Sequence, residues 1–346
     1  MRILLIGPTF FGYRDRVQEE MVREGHQVEC VDDRPSETTW FKSLAKISYR
    51  LTDGIIMRYA RNLAGRVSKE QYDMVLYMGG MSFCFTRKQF GLIRESSNAR
   101  FVAYLWDAFA NCERFGQCRD LFDDIYSFEA KDCEKYDLKM RPLFYSNIYR
   151  TIPLESKKYF EYDACFIGSA HQVSKFNIVS SIVNKLESQG YRVFKYYFMP
   201  SRVAELWCKL TNRCYRAQVF QHKPLNTTQV VDIYTRSKAV IDSPQSGQSG
   251  LTMRTLETLG ARRKLITANE DVMHYDFARY GDVLVWDNDL NPDTVSDFMY
   301  STYECPPTSV LDSYSIKAFV RTLLGEAPPY RGYHNDDCCD ETEDAS

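Results

Sequence analysis

Gln248-Ser249-Gly250-Leu251-Thr252-Met253-Arg254-Thr255-Leu256-Glu257 is the stretch of this 346-residue chain whose side chains are best spaced for chemistry. Read as the start of a helix over 250–259, it presents unpaired backbone N–H groups and a partial positive charge, which suit a phosphate. Arg254 lies within about the first turn and adds a planar, bidentate phosphate clamp. Glu257 follows three residues later on the same face, where a carboxylate can accept two hydrogen bonds from the vicinal hydroxyls of a ribose. One short helix could thus hold both ends of a nucleoside diphosphate. The same spacing also describes an ordinary surface Arg–Glu pair on an amphipathic helix.

The flanking residues supply the elements that would position this helix. A short apolar run at 239–241 reads as a strand, and the loop 242–249, with Gln245 and Gln248, is built of turn-forming and hydrogen-bonding residues. Leu251, Leu256 and Leu259 fall on one side of the helix, Gly260 reads as its C-terminal stop, and 264–267 resumes as a strand. A similar layout begins at 162–167: an apolar strand, then Gly168-Ser169-Ala170-His171, a helix over 176–189 and a strand over 192–197. Gly168 and Ser169 sit where a backbone can approach a phosphate or sugar closely. His171 fits a phosphate ligand or a plain loop histidine.

The N-terminal half repeats the plan. Strands are expected over 2–7, 26–31, 72–78, 101–106, 125–128 and 140–145, with helices over 14–24 and 130–136. Gly7 and Gly12 do not form a G-x-G-x-x-G fingerprint, and there is no P-loop. Asp107 follows the fourth strand, where a carboxylate faces the ligand end of a sheet as a general base; a helix N-cap is the alternative. Asp32-Asp33 could meet a ribose but reads more simply as an exposed loop. Two Rossmann-like α/β units in tandem, facing a cleft, are the expected architecture: 1–150, then 163–325, then a disordered acidic tail over 331–346.

Apolar residues at 44% and charged residues at 26% describe an ordinary globular protein. Six of the last eleven residues are acidic and none is Lys or Arg; without them the net charge of −2 becomes +4, too weakly basic over two domains for nucleic-acid binding. Eleven scattered cysteines with no C-x-x-C suggest reduced, buried thiols. The opening apolar run is too short for a secretory signal, so the expectation is a cytoplasmic protein, at most peripheral on the inner membrane face. Two basic, amphipathic stretches, 36–69 and 201–217, admit a membrane or partner contact, or the bland reading of helices with basic faces in water. Asp287-Asn288-Asp289 has the D-x-D form of a metal-bound sugar-nucleotide site but lies far from the first nucleotide-binding strands, so no metal site is expected. Protease and esterase motifs are missing.

The tandem layout, the glycine loops and the Arg/Glu-bearing helix resemble the GT-B class of glycosyltransferases. More closely, 242–269 together with FIGSAH (166–171) and 122–145 is similar to bacterial capsular or lipopolysaccharide biosynthesis proteins related to the CgeB group. The resemblance implies a C-terminal domain holding a nucleoside-diphosphate sugar and an N-terminal domain holding a glycan or lipid-linked acceptor. It implies no cofactor and no obligatory metal. It assigns Glu257 to the donor ribose, Arg254 with the backbone of Ser249 and Gly250 to the diphosphate, and Gly168 and Ser169 to the first loop of that domain; Gln245, Gln248, Thr252 and His171 complete the expected donor set. Seven residues before Glu257 stands Gly250, so the upstream Glu of retaining members is missing, which favours inversion with Asp107, or second Asp15, as base. A GT-B-shaped sugar-nucleotide epimerase and a non-catalytic nucleotide-sugar or glycan-binding module are the competing functions.

Overall fold

The computed structural model of the chain describes residues 1–9, 12–36, 38, 41, 51–154, 160–244 and 248–334. Contacts divide it into two compact units, Met1–Pro142 with Ile316–Tyr330, and Leu143–Ser315 with Arg331–Ser346. Each holds a six-stranded sheet whose paired strands, among the described residues, all run parallel.

The first unit runs β1 (Arg2–Ile6), α1 (Tyr13–Arg23), β2 (Gln27–Val31), α2 (Asp53–Glu70), β3 (Met74–Gly79), α3 (Arg87–Glu95), β4 (Arg100–Leu105), β5 (Asp124–Ser127), α4 (Ala130–Tyr136) and β6 (Lys139–Met140). Its strand order is β2-β1-β3-β4-β5-β6, which reverses direction between β1 and β3. Every residue of β3 is buried, as a strand covered on both faces requires. α2 turns Ile56, Ala60, Leu63 and Val67 onto the sheet at helical spacing. α3 starts at a reciprocal Thr86/Gln89 capping box.

The second unit runs β7 (Tyr162–Ser169), α5 (Val173–Ser188), β8 (Val193–Phe198), α6 (Arg202–Thr211), β9 (Phe220–Gln221), α7 (Thr227–Arg236), β10 (Ser237–Asp242), α8 (Met253–Ala261), β11 (Lys264–Thr267), β12 (Val283–Val285) and α9 (Pro292–Tyr300). Its order, β12-β11-β10-β7-β8-β9, is the doubly wound nucleotide-binding arrangement, with its switch point between β7 and β10.

Several expectations need correction. Of the sixth strand expected over 140–145, only Met140 joins the sheet, in the two-residue strand Lys139–Met140, and Tyr145 makes an isolated bridge; Pro142 has no N–H to offer a ladder. The spacing over 310–324 reads as one closing helix, but there are two, Thr308–Ser313 and Ile316–Leu324, because Ser315 leaves the helical path to bridge Tyr145. The second piece belongs to the first unit: Phe319 packs edge-on to Tyr104 at 4.7 Å, and Tyr126 Oη donates to the Thr322 carbonyl. The tail does not begin at 331, since Tyr333 pairs with Tyr275 and His334 N–H donates to the His274 carbonyl; 335–346, with Cys338 and Cys339, lie outside the described residues. The nine described cysteines are all free thiols.

Gly260 is not a helix stop. α8 continues past it and ends where Arg262 takes the left-handed conformation at φ 53°. The glycine instead admits the Tyr145 ring, since a Cβ there would lie 2.5 Å from the ring's first carbon. Tyr145 cannot retreat: its N–H donates to the Tyr314 carbonyl at 3.0 Å and its hydroxyl to the Leu311 carbonyl at 3.0 Å. Gly260→Ala should therefore lower stability by about 1–3 kcal/mol despite Ala's better helix propensity. Urea denaturation checks this, and a stabilised variant would show that the ring can move aside.

Candidate functional site

The carboxyl ends of β7 and β10 meet at the second sheet's switch point, the place where ligands of open α/β sheets bind. β10 ends on Asp242, whose side chain is fully buried. One carboxylate oxygen accepts Arg254 Nη1 at 2.7 Å; the other accepts the hydroxyls of Thr252 at 2.6 Å and Thr255 at 2.7 Å. Thr252 is also the N-cap of α8, accepting the Thr255 N–H at 3.2 Å. One carboxylate thus ties the first turn of α8 to the end of the strand before it. Just after β11, Asn269 Nδ2 donates to the Ser249 carbonyl at 2.8 Å and fixes the loop just ahead of the helix.

The Arg254 guanidinium lies over the Phe166 ring, 5.0 Å from its centroid, and against Gly168. A Cβ on Gly168 would come within 2.5 Å of Arg254 Nη2 and 2.8 Å of the Phe166 ring, so this position must be glycine for Arg254 to sit here. Lys175, in the first turn of α5, is half-buried in the same region. Burial, then the like charge of Arg254, pushes its pKa down to about 8, with Asp242 opposing. Burial acts to raise the pKa of Asp242, but the charges of Arg254 and Lys175 and the two threonine hydroxyls outweigh it and hold it below the ordinary carboxylate value. Glu257 is half-buried, and its charge is felt by both Arg254 and the buried Tyr234.

Of the residues singled out from sequence, Gly168, Thr252, Arg254 and Glu257 share this environment. Ser169 and His171 hydrogen-bond each other through Oγ and Nδ1. Gly250 is buried and Gln248 half-buried ahead of the helix, which begins at Met253 rather than at 250; Leu251 is buried but precedes it, because Thr252 takes the extended N-cap conformation. Gln245 lies outside the described residues. Asp242, Thr255 and Lys175 escaped the sequence reading. Asp242 carried a usable signal, a carboxylate closing a central strand, the same signal that marked Asp107.

Asp107 and Asp15 belong to the first unit. Asp107 is not a helix cap: its carboxylate accepts the Met81 N–H at 3.0 Å, and Gly80 makes room for it, since a Cβ there would lie 2.2 Å from Oδ2. Burial raises its pKa, partly offset by the Met81 hydrogen bond. Gly80 and Met81 also line a pocket of about 460 Å³ with Thr86, Asn111, Cys112 and Arg114. Asp15 is exposed beside Arg14, 3.6 Å away. Asp33 is fully buried and accepts from Arg34 Nε at 3.1 Å, against the exposed-loop reading; Asp32 pairs with Arg14 at 2.7 Å. In the D-x-D segment, Asp287 accepts the Asp289 N–H and Asn288 bonds Ser181, a turn held by its own polar groups. Among the described residues no group of His, Cys, Asp and Glu could hold a metal ion.

No family model and no curated protein matches the chain. Solved structures do. A glycosyltransferase from Rickettsia africae superposes with a TM-score of 0.63 at 12% identity, over 94% of this chain and 97% of that one. An alpha-glucosyltransferase in complex with UDP and a 13-mer DNA containing a central A:G mismatch gives 0.58 at 11%, over 98% and 97%. The UDP-GlcNAc 2-epimerase of Methanocaldococcus jannaschii gives 0.53 at 10%, over 94% and 100%. At these identities the likeness is one of fold: the chain is α/β, with the two Rossmann-like domains of the GT-B class.

Asp242→Asn leaves the largely buried Arg254 without its main counter-charge and should cost about 3–5 kcal/mol. Because the folded pKa of Asp242 is depressed, its contribution is present above the unfolded carboxylate value and is lost as pH falls through the folded one. Urea titrations of wild type and variant at neutral and acid pH should converge on acidification. A difference that stays constant with pH would sink the assignment.

Proposed function

We propose that the chain is a glycosyltransferase that moves a sugar from a nucleoside-diphosphate donor to a glycan or lipid-linked acceptor. The observation that carries this reading is two cations sharing one electrostatic environment, Arg254 against Gly168 at the start of α8 and Lys175 at the start of α5, with Glu257 one turn beyond Arg254. A diphosphate lying across those helix starts meets N–H groups, a guanidinium and an ammonium together. Glu257 is assigned to the ribose hydroxyls. The GT-B fold is the setting in which this arrangement makes sense, and the similarity of 242–269 to capsular and lipopolysaccharide biosynthesis proteins directs the acceptor towards surface polysaccharide.

As the sugar–diphosphate bond breaks, negative charge builds on the departing phosphate, and cations fixed beforehand stabilise it without reorganising. Asp107 is assigned as the base that takes the acceptor hydroxyl's proton. Burial raises its basicity, and the adjoining pocket gives a sugar hydroxyl room beside it. Asp15, exposed and close to Arg14, is the weaker base.

A panel of nucleotides and nucleotide sugars read by thermal shift tests the donor site, since a ligand at about 100 times its Kd adds roughly 2.7 kcal/mol. Glu257→Ala should weaken every nucleotide with the same ribose, whichever sugar is attached; selective loss for one sugar would refute the ribose role. Nucleotide affinity should fall as pH rises through about 8, where Lys175 loses its charge, and Lys175→Met should flatten that dependence. Product analysis then decides the reaction: transfer or hydrolysis supports the proposal, isomerised donor makes the protein an epimerase, and binding without turnover makes it a binding module.

A further inference from the structure

α6 wears its apolar face outward. Val203, Leu206, Trp207 and Leu210, at i, i+3, i+4 and i+7, form one stripe and are each between 60% and 79% exposed, while Cys208 on the opposite side is buried. Val219, just beyond, is 75% exposed as well. A helix normally turns such a stripe inward, as α2 does. The inversion is firmly built: Tyr215 is buried and donates to the Ala170 carbonyl at 2.8 Å, and it stacks with Phe176 and Phe220 beneath the segment. Ser201 caps the helix by accepting the Ala204 N–H.

The charges around the stripe have one sign. Over 201–223 there are five basic residues, Arg202, Lys209, Arg213, Arg216 and Lys223, against one acid, Glu205. Glu205 is taken up by Lys209 at 2.6 Å and His222 at 3.1 Å, while Arg202, Arg213, Arg216 and Lys223 stand exposed. Apolar side chains including a tryptophan, ringed by exposed cations, match an acyl boundary beneath anionic headgroups. A second copy of the chain fits less well: one ten-residue helix offers few contacts beside the roughly 20–30 residues a side of a stable interface, and the exposed arginines would meet their like.

We propose that α6 with its basic surround is a membrane-docking surface, seating the protein on anionic lipid with Leu206 and Trp207 entering the headgroup region. Among the described residues no helix is long and apolar enough to cross a membrane, so the contact is peripheral. The proposal is independent of the donor-site reading.

Co-sedimentation of the full chain with vesicles of phosphatidylcholine alone, and of phosphatidylcholine mixed with phosphatidylglycerol, tests it. Binding is expected only to the mixed vesicles and should weaken as salt is added. The double variant Leu206→Ser with Trp207→Ser, and separately Arg202→Glu with Arg213→Glu, should each cut partitioning about tenfold or more. All four positions are exposed, so both variants should keep the wild-type thermal midpoint, and the charge reversal tests the idea without touching the apolar stripe. No sedimentation with either vesicle, equal binding to neutral lipid, or variants that bind like wild type would each overturn the proposal. So would a wild-type dimer, dissociated by the serine pair, that ignores lipid.

Discussion

A carboxylate without exposed surface determines the form of the second unit's ligand end. Asp242 and Arg254 are both withdrawn from water, and removing charges from water costs several kcal/mol per ion unless partners replace the solvent. The partners are present: both oxygens of Asp242 are occupied, by a guanidinium nitrogen and two hydroxyls, all from residues 252–255. Apolar residues of similar volume could hold strand to helix at least as well. What they could not do is place a cation at the mouth of the switch point. The pair is better understood as a device that fixes Arg254 than as a source of stability.

That placement propagates to its neighbours. Once Arg254 lies flat on Phe166, Gly168 has no room for a side chain. Lys175 then sits in a field with a like charge and an opposite one, and its ammonium is the less well compensated of the two cations. Without Glu257, the cluster of Asp242, Arg254 and Lys175 carries one net positive charge in a partly desolvated place. Two helix starts add partial positive charge to the same region. Such a region favours an anion that brings its own negative charge, and Glu257, one turn along, sets a carboxylate within the electrostatic reach of Arg254.

Much of this architecture could be read from the sequence because it rests on local signals. Continuous apolar runs mark buried strands, and the runs at 162–167 and 239–241 fall within β7 and β10. The lettering of 248–257 marks a helix through its Arg and Glu, but its start reads three residues early because Thr252 is the N-cap. What escaped was set by distance in the chain. Asp242 meets Arg254 across a loop, and Lys175 reaches the site only because α5 follows β7. Gly260 looked like a terminator because glycine usually is one; its true partner, Tyr145, lies 115 residues away and leaves no local trace. The closing helix looked continuous because nothing in its own residues announces that Ser315 pairs with Tyr145.

α2 and α6 show the same limit most sharply. Both are basic and amphipathic, and periodicity assigns each an apolar stripe without saying which way it faces. α2 covers a sheet, so its stripe is consumed by β-strand side chains. α6 joins β8 to the two-residue edge strand β9, where the sheet offers little surface to cover, and the aromatic packing of Phe176, Tyr215 and Phe220 already closes the core beneath it. With the core satisfied, Leu206, Trp207 and Leu210 stay exposed among the described residues of their unit. The orientation of an amphipathic helix is therefore decided by how much uncovered sheet its neighbours leave, and at a short edge strand the apolar face turns outward.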